Sequence, residues 1–265
     1  FTFNGNEVER VQSYKYLGFE FHATKALTHG VSKLVSAANK AMHAMNRRCA
    51  FLHISDPKHR CKLFDSLVLP ILSYASEVWA VDKEVGKSAE QLHRQFLKHV
   101  LGVRGNTASL IVLAEFGRYP LCFHWWQQIL RYHNRINNLS ADERLIQCAF
   151  VEGMHDKAYR FWSHGVQKWL QAQSAALNIE DEICVSTVID NAKALYRQAF
   201  HHHSVGRYQQ MLQLQHQDYV LAPYLSTLKN FKSRRLVSRF RCGCHGLHVD
   251  TGRLKPVGQN VDREQ

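Results

Sequence analysis

Acidic residues are nearly absent from two long stretches of this chain. Between Glu20 and Asp56 there is no Asp or Glu, while Lys25, Lys33, Lys40, Arg47 and Arg48 all fall there. From Asn191 to Val249 the sole carboxylate is Asp218, against Lys193, Arg197, Arg207, Lys229, Lys232, Arg234, Arg235, Arg239 and Arg241. A solvated surface usually mixes signs, so single-sign stretches of this length point to a surface that faces phosphates. The net charge of +12 and pI near 9.5 favour polyanionic partners, nucleic acid first and anionic membrane second. No apolar run approaches the roughly 18 residues of a helical membrane span, and no charged start with an apolar h-region marks a signal peptide. No partner membrane is therefore expected. The seven cysteines are odd in number and scattered, which fits packed thiols in a reducing intracellular compartment, nucleus or cytoplasm.

Several chemistries are missing too. No Asp-Asp pair occurs, and phosphoryl transfer by two metals needs clustered carboxylates to hold them. Glu180-Asp181-Glu182 has no partner acids close in sequence and reads as a solvated helix start or loop. Nucleophile-elbow, phosphate-loop and dinucleotide fingerprints are absent, so neither a cofactor nor a small-molecule ligand is expected. Cys242-x-Cys244-His245 offers zinc-ligand types, but a tetrahedral structural site needs four, usually as two spaced pairs, and no second Cys/His pair with such spacing follows. Its role stays open. His201-His202-His203 within a helix point in different directions and read as a weakly metal-binding patch.

With 265 residues and 45% hydrophobic content, the chain can bury a core of one or two domains. Phe1–Phe3 and Glu7–Val11 can pair across Asn4-Gly5, the strongest short hairpin signal. Tyr14, Tyr16, Phe19 and Phe21 supply strand aromatics around Gly18. A helix over about Gly30–Ala50 places Val31, Leu34, Val35, Ala38, Met42, Met45 and Cys49 on one face. Lys33, Lys40, His43 and Arg47 gather opposite, with no acid to pair them at i, i+4, which favours a nucleic-acid face. A second helix opens with Asp56 as N-cap and Pro57 at its first position, and Pro70 breaks or kinks it. A third opens with Ser88 and Gln91 as a capping box and ends at Gly102. Trp125, Trp126 and Tyr132 lie at helical spacing and read as core. Further helices follow from a Ser140/Glu143 box, through the Phe161–Leu170 apolar face, to Ile183–Tyr196 and Tyr208–Leu225. Lys229–Arg241 packs six basic residues into thirteen, with Phe231, Leu236, Val237 and Phe240 between them.

Three pieces of the chain, in order, carry a resemblance. Tyr14-Lys-Tyr-Leu-Gly-Phe19 and Leu67-Val-Leu-Pro-Ile-Leu-Ser-Tyr-Ala-Ser-Glu-Val-Trp79 come first. Leu101-Gly-Val103, Thr107 and Ala114-Glu-Phe-Gly-Arg-Tyr-Pro-Leu121 follow. Arg239, Arg241, His245, Leu247, Gly252 and Arg253 form the last. Together they resemble non-LTR (LINE-type) retrotransposon reverse transcriptases downstream of the polymerase active site, over roughly 1–131 and 234–253.

That resemblance implies a division of labour. Residues 1–27 would end the palm, with Tyr16, Leu17 and Gly18 in a primer-grip-like hairpin. Residues 28–103 would be a thumb-like three-helix bundle gripping template and product, 104–228 a helical linker or scaffold, and 229–265 a basic segment before a missing zinc knuckle. The fold class expected is mainly α: a short N-terminal β-hairpin, the thumb-like bundle and a further helical region. Nucleic-acid contacts are expected from Lys33, Lys40, His43, Arg47, Lys229, Lys232, Arg234, Arg235, Arg239 and Arg241. The divalent metals of the RNA-directed DNA polymerase would sit in an upstream palm, so this stretch is expected to be inactive alone. The alternatives are a stand-alone helical nucleic-acid-binding or scaffolding protein derived from such an element, and an all-α protein-interaction domain.

Overall fold

A computed structural model describes residues 2–3, 6–7, 9–139, 162–173, 182–203 and 219–244. Among them the protein is mainly helical, with two small antiparallel strand pairs at its N-terminal end. Strands β1 (Thr2–Phe3) and β2 (Asn6–Glu7) pair with Thr2 opposite Glu7 and Phe3 opposite Asn6, the register of a two-residue Asn4-Gly5 connection. The ladder is shorter than the Glu7–Val11 expectation, because exposed Glu9–Val11 lie outside it. Strands β3 (Ser13–Tyr16) and β4 (Phe19–His22) form the second hairpin. Leu17 and Gly18 turn it with φ values of 47° and 91°, the positive pair that a two-residue hairpin turn needs.

Helix α1 (Ala26–Phe51) is the spine, about 39 Å long at 1.5 Å per residue. Its expected apolar face holds: Val31, Ala38, Met42, Met45 and Cys49 are buried, and Leu34 and Val35 half-buried. Strand β4 lies against the start of α1. There Gly30 allows a very close approach, since a Cβ on it would stand 2.3 Å from the Phe19 ring and 2.7 Å from the Glu20 carbonyl. Gly30→Ala raises helix propensity by about 1 kcal/mol, yet has to push the hairpin away. The expected outcome is an unchanged helical circular-dichroism signal with faster amide exchange in Phe19–His22.

Asp56 caps α2 (Pro57–Leu67) as expected, accepting from the Lys58 and His59 amides with Pro57 at the first position. Pro70 accompanies a full break rather than a kink. The chain leaves the helix at Val68, makes a short turn of helix α3 (Leu69–Leu72), passes through Ala75 at φ 53°, and makes another in α4 (Ser76–Trp79).

The Ser88/Gln91 box is overturned. Helix α5 (Lys83–Leu101) starts six residues earlier, capped by the Asp82 side chain on the Glu84 amide, and runs through Ser88. Two cap-forming residues compete here and the upstream one wins. Gly86, which would weaken an isolated helix, is held inside it because a Cβ there would meet the Trp125 ring at 2.8 Å. The expected stop at Gly102 holds, in a left-handed conformation that closes α5.

Helices α6 (Ser109–Phe116) and α7 (Cys122–Asn137) complete the core. Phe64 stacks on Phe96 at 4.3 Å, and Trp79 meets Trp125 edge-on at 5.0 Å. Each such ring contributes roughly 1.5–3 kcal/mol by burial. Trp125 and Trp126 are core, as read from spacing, and Trp126 stacks on Trp169 of α8 (Trp162–Ala172). The Val166/Leu170 face of α8 is buried, whereas Phe161, Ser140 and Glu143 lie outside the described residues. Helix α9 (Val185–His203) packs on α7 and carries the three histidines in its last turn. Of the expected Tyr208–Leu225 helix, 208–218 lies outside the described residues, and Pro223–Thr227 forms the short α10. Helix α11 (Phe231–Arg241) closes against α5.

Candidate nucleic-acid interface

Among the described residues nothing covers the polar face of α1. Lys40, His43 and Arg47 are exposed and step along the helix at intervals of three and four residues, one above another. No acidic residue lies anywhere in α1. Lys33, 59% exposed, begins the same stripe but has a neighbour that sequence reasoning missed. Glu20 of β4 sits 3.9 Å from its ammonium and hydrogen-bonds the His29 ring at 2.8 Å. That bond, with the Lys33 and His29 charges, holds the Glu20 carboxyl below its usual range. Lys33 is thus partly neutralised, and the unopposed charge of α1 begins at Lys40.

Tyr16, Leu17 and Gly18 form the tip of the β3–β4 hairpin. Tyr14 and Tyr16 are 62% and 57% exposed, and Leu17 75%. The tip is anchored from the other side. The Tyr74 hydroxyl donates to the Leu17 carbonyl, and a Cβ on Gly18 would lie 3.3 Å from that hydroxyl. Trp79 Nε1 in turn donates to the Tyr74 carbonyl at 2.8 Å. The Tyr74, Glu77 and Trp79 positions of the resembled motif therefore join hairpin, α4 and core. The Glu77 carbonyl accepts from Trp162 Nε1 at 2.5 Å.

Residues 229–241 require a correction. Lys229 and Lys232 are exposed. Arg234, expected to face phosphates, is 5% exposed. Its guanidinium donates to the Leu228 and Lys229 carbonyls at 2.7 and 2.9 Å and to the Ser55 carbonyl at 2.5 Å, across 179 residues of sequence. Arg241 is also turned inward. Its Nε lies 2.9 and 3.0 Å from the Glu115 carboxylate oxygens, its Nη2 is 2.8 Å from Oε1, and the guanidinium sits 5.2 Å over the Tyr224 ring. Arg235 and Arg239 each donate Nε to the Gly102 carbonyl, at 3.3 and 3.0 Å, satisfying the C-terminus of α5. The physical reason is common to all four. A helix laid against carbonyl-rich helix ends and one buried carboxylate uses arginine forks to pair them.

Other buried polar groups sit in the resembled Ala114–Leu121 piece and also escaped sequence reasoning. Arg118 grips Asp65 of α2 with both nitrogens of its fork. The Leu121 amide donates to Glu90 at 2.7 Å, and the Ala222 amide donates to the Glu115 carbonyl at 2.8 Å. Gly117, at φ 59°, has the Val220 backbone 2.5 Å from where a Cβ would be, so no side chain fits. The usable signal was the motif itself: residues read as family markers turn out to be joints between helices.

Burial pushes the Cys242 thiol well up and Cys61 up to about 11, so both are packed thiols rather than reactive ones. Among the described residues no group of three or more His, Cys, Asp or Glu could hold a metal ion. His245 lies outside them. No described helix is long and apolar enough to cross a membrane.

No family model matches the chain, and no solved structure matches it significantly. Among curated proteins, a putative uncharacterised transposon-derived protein of Caenorhabditis elegans is 30% identical over 97 residues. That stretch is 37% of this chain and 34% of the worm protein, so the match spans about a third of either. The similarity supports a transposon-related origin.

Proposed function

We propose that this chain is the part of a non-LTR retrotransposon reverse transcriptase that follows the polymerase active site, and that it grips an RNA–DNA template–primer through α1. The observation that carries the reading is the exposed stripe Lys40, His43 and Arg47 on a helix with no acidic residue. Phosphate contacts of this kind supply sequence-independent affinity through counterion release. The hairpin tip, with Tyr16, Leu17 and Gly18 held by Tyr74, takes the primer-grip-like role beside it. The resemblance across three ordered motifs and the transposon-derived relative support the assignment.

The test is charge reversal. The triple variant Lys33→Glu, Lys40→Glu, Arg47→Glu keeps the helical fold, since all three side chains are exposed. It lowers affinity for an RNA–DNA duplex and flattens the slope of log K against log salt by about two to three units, roughly one per lost phosphate contact. Unchanged affinity would make the stripe an ordinary solvated face.

A further inference from the structure

Helix α11 begins 180 residues after α1 ends, yet the fold joins the two basic helices at one place, the C-terminal end of α5. On one side α1 packs along α5. The Asn46 side chain of α1 accepts from Arg60 at 2.6 Å, and burial, with the Arg60 charge, lowers the pKa of His99 in the last turn of α5. On the other side Arg235 and Arg239 of α11 close on Gly102, with the Arg235 stem 2.8 Å from where a Gly102 Cβ would stand. Among the described residues the helices of this path are poor in opposing charge. Helix α1, helix α11 and the Gln91–Leu101 half of α5 contain no Asp or Glu. The Asp56 carboxylate, next to the Ser55 carbonyl that Arg234 holds, faces the Lys58 and His59 amides at the start of α2.

We infer that Lys40, His43, Arg47, Arg235, Lys232 and Lys229 form one continuous track for a single nucleic-acid backbone, running along α1, over the end of α5 and onto α11. This rests on the proposed function and extends it from one helix face to a composite site. The inward arginines are part of the device. Arg234 and Arg241 fix the helix, so that Lys229, Lys232 and the outer nitrogens of Arg235 are carried to the end of the α1 stripe. Lys33 to Arg47 spans about 21 Å of helix, the length of about six base pairs at 3.4 Å each. A ligand much longer than that has to run onto α5 and α11.

The experiment uses the full chain, an RNA–DNA duplex of about 20 base pairs and one of about 6. Two variants are compared, Lys40→Glu/Arg47→Glu on α1 and Lys229→Glu/Lys232→Glu beside and on α11. All four side chains are exposed, and thermal unfolding of each variant checks that the fold is kept. With the long duplex, binding at one-to-one stoichiometry is expected. Each variant should flatten the salt slope by about two units, and the combination by about four. With the short duplex the α1 variant should still weaken binding, while the α11 variant's effect on the α1-bound fraction is lost. An α1 variant that binds the long duplex normally overturns the proposed function itself. If only the α11 variant behaves as wild type on the long duplex, the track is overturned and the α1 site stands. The exposed Leu236 and Phe240 beside Lys232 would then mark a face for an acidic protein partner. Two independent long-duplex sites per chain overturn the track as well.

Discussion

Arg241→Met should destabilise the protein by about 3–5 kcal/mol, the usual cost of leaving one member of a buried ion pair behind. The Glu115 side chain is 2% exposed, and Arg241 meets both of its oxygens. Removing the guanidinium takes away the cation that meets both carboxylate oxygens in the core. Arg241 also lies over Tyr224, and burial, with the Glu115 charge, raises the Tyr224 hydroxyl's pKa, so that hydroxyl stays a neutral neighbour and offers no compensating charge. A urea midpoint at neutral pH measures the loss. Adding Glu115→Leu to Arg241→Met should recover most of it, because replacing both partners removes the stranded charge. A midpoint unmoved by the single change would mean that the pair contributes nothing to holding α6 and α11 together.

Arg234→Ala should cost about 3 kcal/mol, because three carbonyls lose their donor at once and each buried unsatisfied group costs about 1–3 kcal/mol, partly regained from water. Two of those carbonyls, Leu228 and Lys229, shape the turn into α11, while the third, Ser55, belongs to the loop before α2. The change should therefore loosen α2 as well as α11. Arg234→Lys should restore little, since an ammonium cannot match a planar fork set between three acceptors. By the same logic, truncation after Tyr224 cannot leave the 28–103 bundle untouched, although the sequence alone suggests two separable regions. It strips Ser55 and Gly102 of the arginines that satisfy them.

Particular residues show where the sequence was legible. The α1 stripes, the Asp56-Pro57 start and the Gly102 stop rest on spacing and cap chemistry within one turn, and all three are found. Ser88 misled because it is a good cap locally, while Asp82 upstream and the fit of Gly86 against Trp125 decide the start. Arg234 and Arg241 of α11 misled for a different reason. Sequence displays their charge and conceals what they meet, a Ser55 carbonyl 179 residues away and a Glu115 carboxylate 126 residues away. Contacts at that separation leave no periodicity to read. The same holds for Tyr74, whose hydroxyl reaches Leu17 over 57 residues. Leu17, Tyr74, Glu115 and Arg241 all fall in the resembled motifs, although nothing in their spacing gave the role of any one of them.

Photo-cross-linking tests the central claim most directly. An RNA–DNA duplex carrying a photoreactive base along the RNA strand is irradiated with the full chain, and the attached peptides are mapped by mass spectrometry. The account predicts cross-links concentrated in the exposed stripe of α1 from Lys40 to Arg48, weakened by added salt in step with binding. Duplex that binds this protein yet never cross-links to α1 would contradict it.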